Sequence, residues 1–191
     1  MNALLHFLYY IFRLRRANTQ TTDAERACLA RYAQNRERLV EIGVFEGVTT
    51  KVLRGAMADN AVLFAIDHFQ KNRLGICYYE IVAHMEVSRA KRGSVRWINM
   101  KGVDALRASV ICSSAPLDFA FLDGDHSWKG VQADWEGLQP LLGIGAIVAL
   151  HDSRHTGGHE SEEFTEQVIL ADRRFTVRDT VDTLTILEKI S

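Results

Sequence analysis

The chain has 191 residues, 47% of them apolar and 25% charged, and a net charge of -1. That is the composition of an ordinary globular domain with one substantial core, and it excludes the basic stripe that would make nucleic acid an expected partner. Three scattered cysteines, Cys28, Cys77 and Cys112, fit neither a disulfide framework nor a zinc site, which points to a reducing, cytoplasmic setting.

The first stretch, MNALLHFLYYIFRLRR, is apolar up to Phe12 and then carries Arg13, Arg15 and Arg16. Residues 1–20 are expected to hold a helix set apart from a domain over 21–191. The run is too short to span a bilayer, and it lacks the charge order and cleavage site of a signal peptide. Such a helix packs on the domain or on a second subunit as a homodimer. Its basic end also suits a peripheral membrane contact.

Thr22 to Arg38 is a predicted helix, with Asp23 and Glu25 near its start and Arg36 and Arg38 near its end, as the helix dipole prefers. The apolar runs 39–43, 61–67, 94–100, 116–123 and 146–152 are predicted strands. Helices are predicted between and after them over 49–57, 76–91, 104–110, 128–142 and 160–171. Runs 175–180 and 183–190 form a closing hairpin. Strands apolar throughout, alternating with helices, indicate a doubly wound parallel sheet covered on both faces, here with an antiparallel addition. Ligands bind such sheets beyond the carboxyl ends of the strands. Every one of those ends is polar or glycine-rich.

The first end reads VEIGVFEGVTT, an acid-x-Gly-x-x-x-Gly pattern around Glu41, Gly43 and Gly47. It lacks the dinucleotide fingerprint and the Walker loop, and taken alone it is also the pattern of a tight strand-to-helix turn. The second end, AIDHF, places Asp67 about twenty residues further on, where an acid accepts ribose hydroxyls, and His68 or Phe69 can cover a base. Loop and acid together indicate a nucleoside-type ligand. Asp123 ends the fourth strand, and His151 with Asp152 ends the fifth. Carboxylates gathered at neighbouring strand ends call for a cation between them. Mg²⁺ or Mn²⁺ suits the two acids, and the histidine shifts the preference toward softer metals.

These segments, with FLDGDHSWKGVQADWEGLQPLLGIGAIVALHDS and the hairpin, resemble class I S-adenosylmethionine-dependent methyltransferases over about residues 37 to 190. Within that class the chain is most similar to methyltransferase family 24, related to metal-dependent sugar and catechol O-methyltransferases. The resemblance implies a seven-stranded Rossmann-like sheet in the order 3-2-1-4-5-7-6. It also implies that Glu41, Gly43 and Gly47, with Val44 and Phe45 between them, cradle the methionine part of the cofactor. Asp67 then lies at the ribose, with His68 beside it on the cofactor, and Asp104 at the adenine, with Asp123 also on the cofactor side. Val103 stands where the family more often has an acid. Asp123, His151 and Asp152 match the relatives' metal ligands, although the pair ending the fifth strand is more often two acids or Asp-Asn. Asp125 matches the proposed general base of sugar-methylating relatives, and His126 is the competing base. Ser127 is a helix N-cap, and SRHTGGHESEE is a mobile loop carrying His155 and His159.

The expected activity is therefore metal-assisted methylation of a hydroxyl on a sugar-like or other small-molecule acceptor, using S-adenosylmethionine. Two rivals use the same residues differently. One is a metal-dependent hydrolase, and the other is a non-catalytic adaptor that keeps the fold.

Overall fold

A computed structural model describes residues 3–191. Residues 1 and 2 of the predicted N-terminal helix lie outside the described residues. Seven strands form a single sheet: β1 (Arg38–Ile42), β2 (Val62–Ile66), β3 (Ser94–Ile98), β4 (Leu117–Leu122), β5 (Leu142–Leu150), β6 (Phe175–Val181) and β7 (Leu184–Lys189). Their order is β3-β2-β1-β4-β5-β7-β6, as the resemblance implied. The first five strands run parallel, and β7 pairs antiparallel with both β5 and β6.

Strand alternation builds two cores. Val40, Ile42, Phe64, Ile66, Ala120 and Val148 face one side. There they meet α5 (Gly102–Leu106), α6 (Ser109–Cys112), α7 (Trp128–Leu138) and α8 (Glu160–Phe164). Leu39, Leu63, Phe119, Phe121, Ile147 and Ala149 face the other side, against α2 (Asp23–Ala33) and α3 (Val48–Ala56). Both faces are covered, which is why the strands read as continuous apolar runs.

Several predicted helices end earlier than expected. The segment predicted to run to Arg38 stops at Ala33, because Gln34 is extended and Asn35 adopts a left-handed φ of 60°. At its start, Thr22 and Glu25 make a reciprocal capping box. The helix predicted over 160–171 is α-helical only to Phe164 and continues as a π turn over Thr165–Ile169.

The N-terminal helix α1 (Ala3–Ile11) packs on α4 (Tyr78–Val87). His6 and Tyr10 are its buried residues. His6 Nε2 lies 2.9 Å from Glu46 Oε2 inside the glycine loop, and the Tyr10 hydroxyl donates to Glu86 at 2.9 Å. Burial, then the Glu86 carboxylate, pushes the Tyr10 hydroxyl up to about 12. The outward face of α1 leaves Leu4, Leu8, Ile11 and Phe12 exposed. No helix among the described residues is long and apolar enough to cross a membrane.

Candidate active site

The loop after β1 is built on two glycines that nothing else can replace. Gly43 has φ +91°, and a Cβ there would sit 1.9 Å from the carbonyl oxygen of Asp123. Gly47 has φ +75°, and its Cβ would sit 2.8 Å from the Ala83 backbone. The first glycine lets the ends of β1 and β4 close together, and the second seats α3 on α4. Phe45 between them is also left-handed, at φ 52°. Its conformation is held by Asp67, whose Oδ2 accepts from the Val44 and Phe45 N–H groups at 3.0 Å each, while Oδ1 accepts from Phe69 N–H at 2.9 Å.

Beyond these strand ends lies a cleft of about 630 Å³. Gly43, Phe45, Asp67 and His68 line it, together with Asp123 and Asp125 from the end of β4. Of the residues expected to hold a cofactor, these reach the cavity. Val44 is buried and contributes its N–H to Asp67. Glu41 does not line the cleft. It is fully buried on the α2–α3 side of the sheet, and neither carboxylate oxygen has a hydrogen-bond partner. Burial pushes its pKa well above the ordinary value. Asp104 is exposed on α5 and lies outside the cleft, whereas its neighbours Lys101, Gly102 and Val103 line it.

The acid at that end comes from elsewhere. Asp134 of α7 lines the cleft and is buried, accepting the Val103 backbone N–H. A Cβ on Gly102 would meet its Oδ1 at 2.3 Å. Sequence reading missed it, although a signal was present. Val131, Asp134, Trp135 and Leu138 share the inward stripe of α7, and an acid in that stripe is out of place unless it is used. Burial and the nearby Asp125 charge push the Asp134 carboxyl up to about 6, against the Val103 N–H, which lowers it. The folded state thus holds this proton more tightly than the unfolded chain does. Its stabilising contribution is full below about pH 4 and is lost as pH rises through about 6. Asp134→Asn is expected to raise the melting temperature at about pH 7.5 and leave it unchanged at about pH 4. Thermal melts at both pH values check this, and a lower melting temperature for the variant at neutral pH would contradict it.

The far rim gathers the predicted acids and histidines. Asp125 Oδ1 accepts from the Ser127 N–H at 2.9 Å, and Ser127 caps α7 through the Gly130 N–H. The Ser127 hydrogen bonds hold the Asp125 carboxyl below its usual range. Gly130 makes room for it, since a Cβ there would come within 2.4 Å of Asp125. His126 is partly exposed, with Nδ1 3.7 Å from Asp152 Oδ2 and Nε2 4.0 Å from Asp123 Oδ1.

His151 departs from its expected role. It continues the alternation of Ile147 and Ala149 and turns its ring to the α2 side, edge-on to Phe121. Nδ1 lies 2.8 Å from Asp123 Oδ1 and 3.6 Å from Asp152 Oδ2, and Nε2 lies 3.5 Å from Glu25 Oε2 in the interior. Burial alone would lower its pKa. The hydrogen bond and charge of Asp123, with the charges of Asp152 and Glu25, outweigh that and push the imidazolium up to about 9. Nδ1 is thus bound to Asp123 at the rim, while Nε2 is buried without a hydrogen-bond partner. Asp123, His151 and Asp152 meet at the ends of β4 and β5, with the buried imidazole standing between the two carboxylates.

The loop after β5, expected to be mobile, is tied to α8. Glu162 accepts from the N–H groups of His155 and Thr156 at 2.7 and 2.9 Å, and the His159 N–H donates to the Thr156 hydroxyl at 3.0 Å. Ser161 donates to the Asp152 carbonyl at 2.7 Å. These bonds bring His159 back over the rim, with Nδ1 3.9 Å from Asp152 Oδ2.

Residues 40–153, more than half the chain, match the family model described as a methyltransferase domain, methyltransferase family 24. The chain belongs to this methyltransferase family. No curated protein matches it by sequence. Its fold is similar to an O-methyltransferase from Bacillus cereus solved with S-adenosylhomocysteine, at 18% identity and TM-score 0.68, covering 99% of this chain and 90% of that one. It is also similar to the O-methyltransferase TomG from Streptomyces achromogenes, involved in tomaymycin synthesis and solved with S-adenosylmethionine. There the identity is 17% and the TM-score 0.67, over 100% and 91% of the two chains. A TDP-rhamnose 3'-O-methyltransferase of calicheamicin biosynthesis aligns at 16% identity and TM-score 0.64, over 86% of this chain and 77% of that one.

Proposed function

We propose that this chain transfers a methyl group from S-adenosylmethionine to a hydroxyl oxygen of a small, sugar-like acceptor. One observation carries the reading: the glycine loop with Asp67 and the acids Asp123 and Asp125 border the same cavity. A donor held by the loop and an acceptor held near Asp125 would share that one cavity. The neighbours solved with S-adenosylmethionine or S-adenosylhomocysteine support the cofactor, and the rhamnose-methylating neighbour supports the acceptor class.

The residues fit the cofactor. Gly43 lines the cleft where the methionine part would lie, and Asp67 Oδ1, which accepts only the Phe69 N–H, keeps a lone pair for a ribose hydroxyl. Asp134, with Val103 beside it, offers an acceptor for the adenine amino group at the end where Asp104 was expected. When bound, the cofactor supplies an electrophilic methyl on a sulfonium. The chain's part is to hold the acceptor oxygen in line and to take its proton.

Asp125 is placed for the second task. Oδ1 is occupied by Ser127, which leaves Oδ2 for the acceptor hydroxyl. Its lowered pKa keeps it ionised at neutral pH, ready to accept a hydrogen bond. Asp125→Asn is expected to reduce kcat by roughly 100-fold or more while leaving S-adenosylhomocysteine affinity within about threefold. The assay follows labelled methyl transfer from S-adenosylmethionine to a panel of glycosylated acceptors. Full activity in the variant would remove Asp125 from the chemistry. Absence of transfer to any hydroxyl acceptor by the folded, cofactor-binding protein would overturn the O-methylation reading.

A further inference from the structure

His126 from the β4–α7 loop, Asp152 from the end of β5 and His159 from the start of α8 each offer one donor atom, and these atoms all lie within 4.8 Å of one another. The Nδ1 atoms of His126 and His159 stand 3.7 and 3.9 Å from the same oxygen, Asp152 Oδ2. Those separations are too long for hydrogen bonds. Three polar donors thus converge without bonding one another. A transition metal with bonds of about 2.0–2.1 Å at tetrahedral angles would set its ligand atoms roughly 3.3 Å apart. The two distances to Asp152 would close by about half an ångström or less, and the two imidazoles, within 4.8 Å of each other, by no more than about 1.5 Å, to bring the three onto one ion.

The surroundings suit that role. Asp152 adopts a left-handed φ of 46°, uncommon for a residue other than glycine, which turns its side chain out of the strand direction. Its carbonyl is fixed by Ser161. The backbone N–H of His159 is fixed by Thr156, and Thr156 in turn by Glu162. The far nitrogen of His126 faces the Asp123 carboxylate at 4.0 Å, a favourable charge beside a ligating imidazole though not a hydrogen bond. The open side faces solvent, since His159 is exposed and the other two are partly exposed, so further coordination positions stay free for water or substrate oxygen.

We propose that His126, Asp152 and His159 form a site for a divalent transition metal such as Zn²⁺, Mn²⁺ or Fe²⁺, bordering the cleft at Asp123. Two imidazoles and one carboxylate favour such ions over Mg²⁺, which prefers oxygen ligands. The site differs from the predicted ligand set in two of three residues and keeps only Asp152. It deepens the proposed methyl transfer, where such an ion would lower the pKa of an acceptor hydroxyl. Binding itself is independent of that reading.

The test is calorimetric titration of the EDTA-treated full chain with Zn²⁺, and separately with Co²⁺ while following its visible absorption. S-adenosylhomocysteine binding is measured on the same samples. One ion per chain is expected. His126→Ala and His159→Ala should each weaken it by about tenfold or more, while exposed His155→Ala leaves it within about threefold. Retained S-adenosylhomocysteine binding certifies the fold of each variant and keeps failure of the metal site separate from failure of the methyltransferase reading. The proposal is overturned by absence of Zn²⁺ and Co²⁺ binding at about millimolar concentration. It is equally overturned if the affinity is unchanged in both histidine variants, or if His155→Ala alone abolishes it.

Discussion

Gly43→Ala is expected to eliminate S-adenosylhomocysteine binding and to destabilise the fold by roughly 3–5 kcal/mol. The added methyl group would lie 1.9 Å from the Asp123 carbonyl oxygen and 2.5 Å from its carbon. Both are backbone atoms, so no side chain can swing aside. The Gly43 N–H donates to Ile66 at 2.9 Å, and the Asp123 N–H donates to Ile42 at 2.8 Å. Relief of the clash therefore has to part β1 from β4 where the cleft is formed. The φ of +91° adds strain for any residue with a Cβ. Urea unfolding gives the stability change, and Gly55→Ala is the control. Its Cβ would meet nothing within 4 Å, and it lies in α3, where alanine is the better helix former. A Gly43→Ala protein that binds with near-normal affinity would contradict the loop's assigned role.

The second large effect is expected at His151. His151→Ala should destabilise the protein by roughly 3–5 kcal/mol, because it strands carboxylates that the imidazolium now neutralises. The His151 and Glu25 side chains are each 1% exposed, and that of Asp123 is 14% exposed, so water cannot take over. Glu25 is further committed. It accepts from the Thr22 N–H as part of the α2 capping box and from the Thr183 N–H and hydroxyl in the turn between β6 and β7. Losing the ring would disturb α2, the hairpin and the end of β4 together. His151→Gln, which keeps a donor but no charge, should fall between the variant and the wild type. Exposed His155→Ala should shift stability by no more than about 0.5 kcal/mol. Chemical denaturation of all three, in EDTA, checks the order. A His151→Ala protein as stable as the wild type would show that the acids need no internal cation.

The sheet was legible because each core strand is a continuous apolar run that ends in a polar or glycine-rich turn. VEIG, AIDH and FLDG announce both the strand and the rim it delivers. Asp67 was legible for the same reason, since an acid directly after an apolar strand has few structural uses. Three features were hidden for distinct physical causes. Asp134 lies in mid-helix, and only the three-dimensional approach of α7 to Gly102 brings it to the cleft. His151 and Asp152 are adjacent in sequence, but the alternation of the strand turns one ring inward and leaves the other side chain near the rim. The link from His6 to Glu46, forty positions away, has no local signature at all. It ties the N-terminal helix to the glycine loop through a buried contact that becomes visible only once α1 is docked. Helix ends were misjudged for a simpler reason. Left-handed turns at residues such as Asn35 stop a helix without a glycine or proline to mark them.

The most direct test of the central claim, a cofactor cleft floored by the glycine loop and Asp67, is calorimetric titration of the full chain with S-adenosylhomocysteine, alongside Asp67→Ala. One saturable site per chain is expected. The variant should lose at least about 100-fold in affinity, because it removes both the ribose acceptor and the hydrogen bonds that hold Val44, Phe45 and Phe69. A folded wild-type protein that gives no heat of binding, or an Asp67→Ala variant that binds as well as the wild type, would contradict the account.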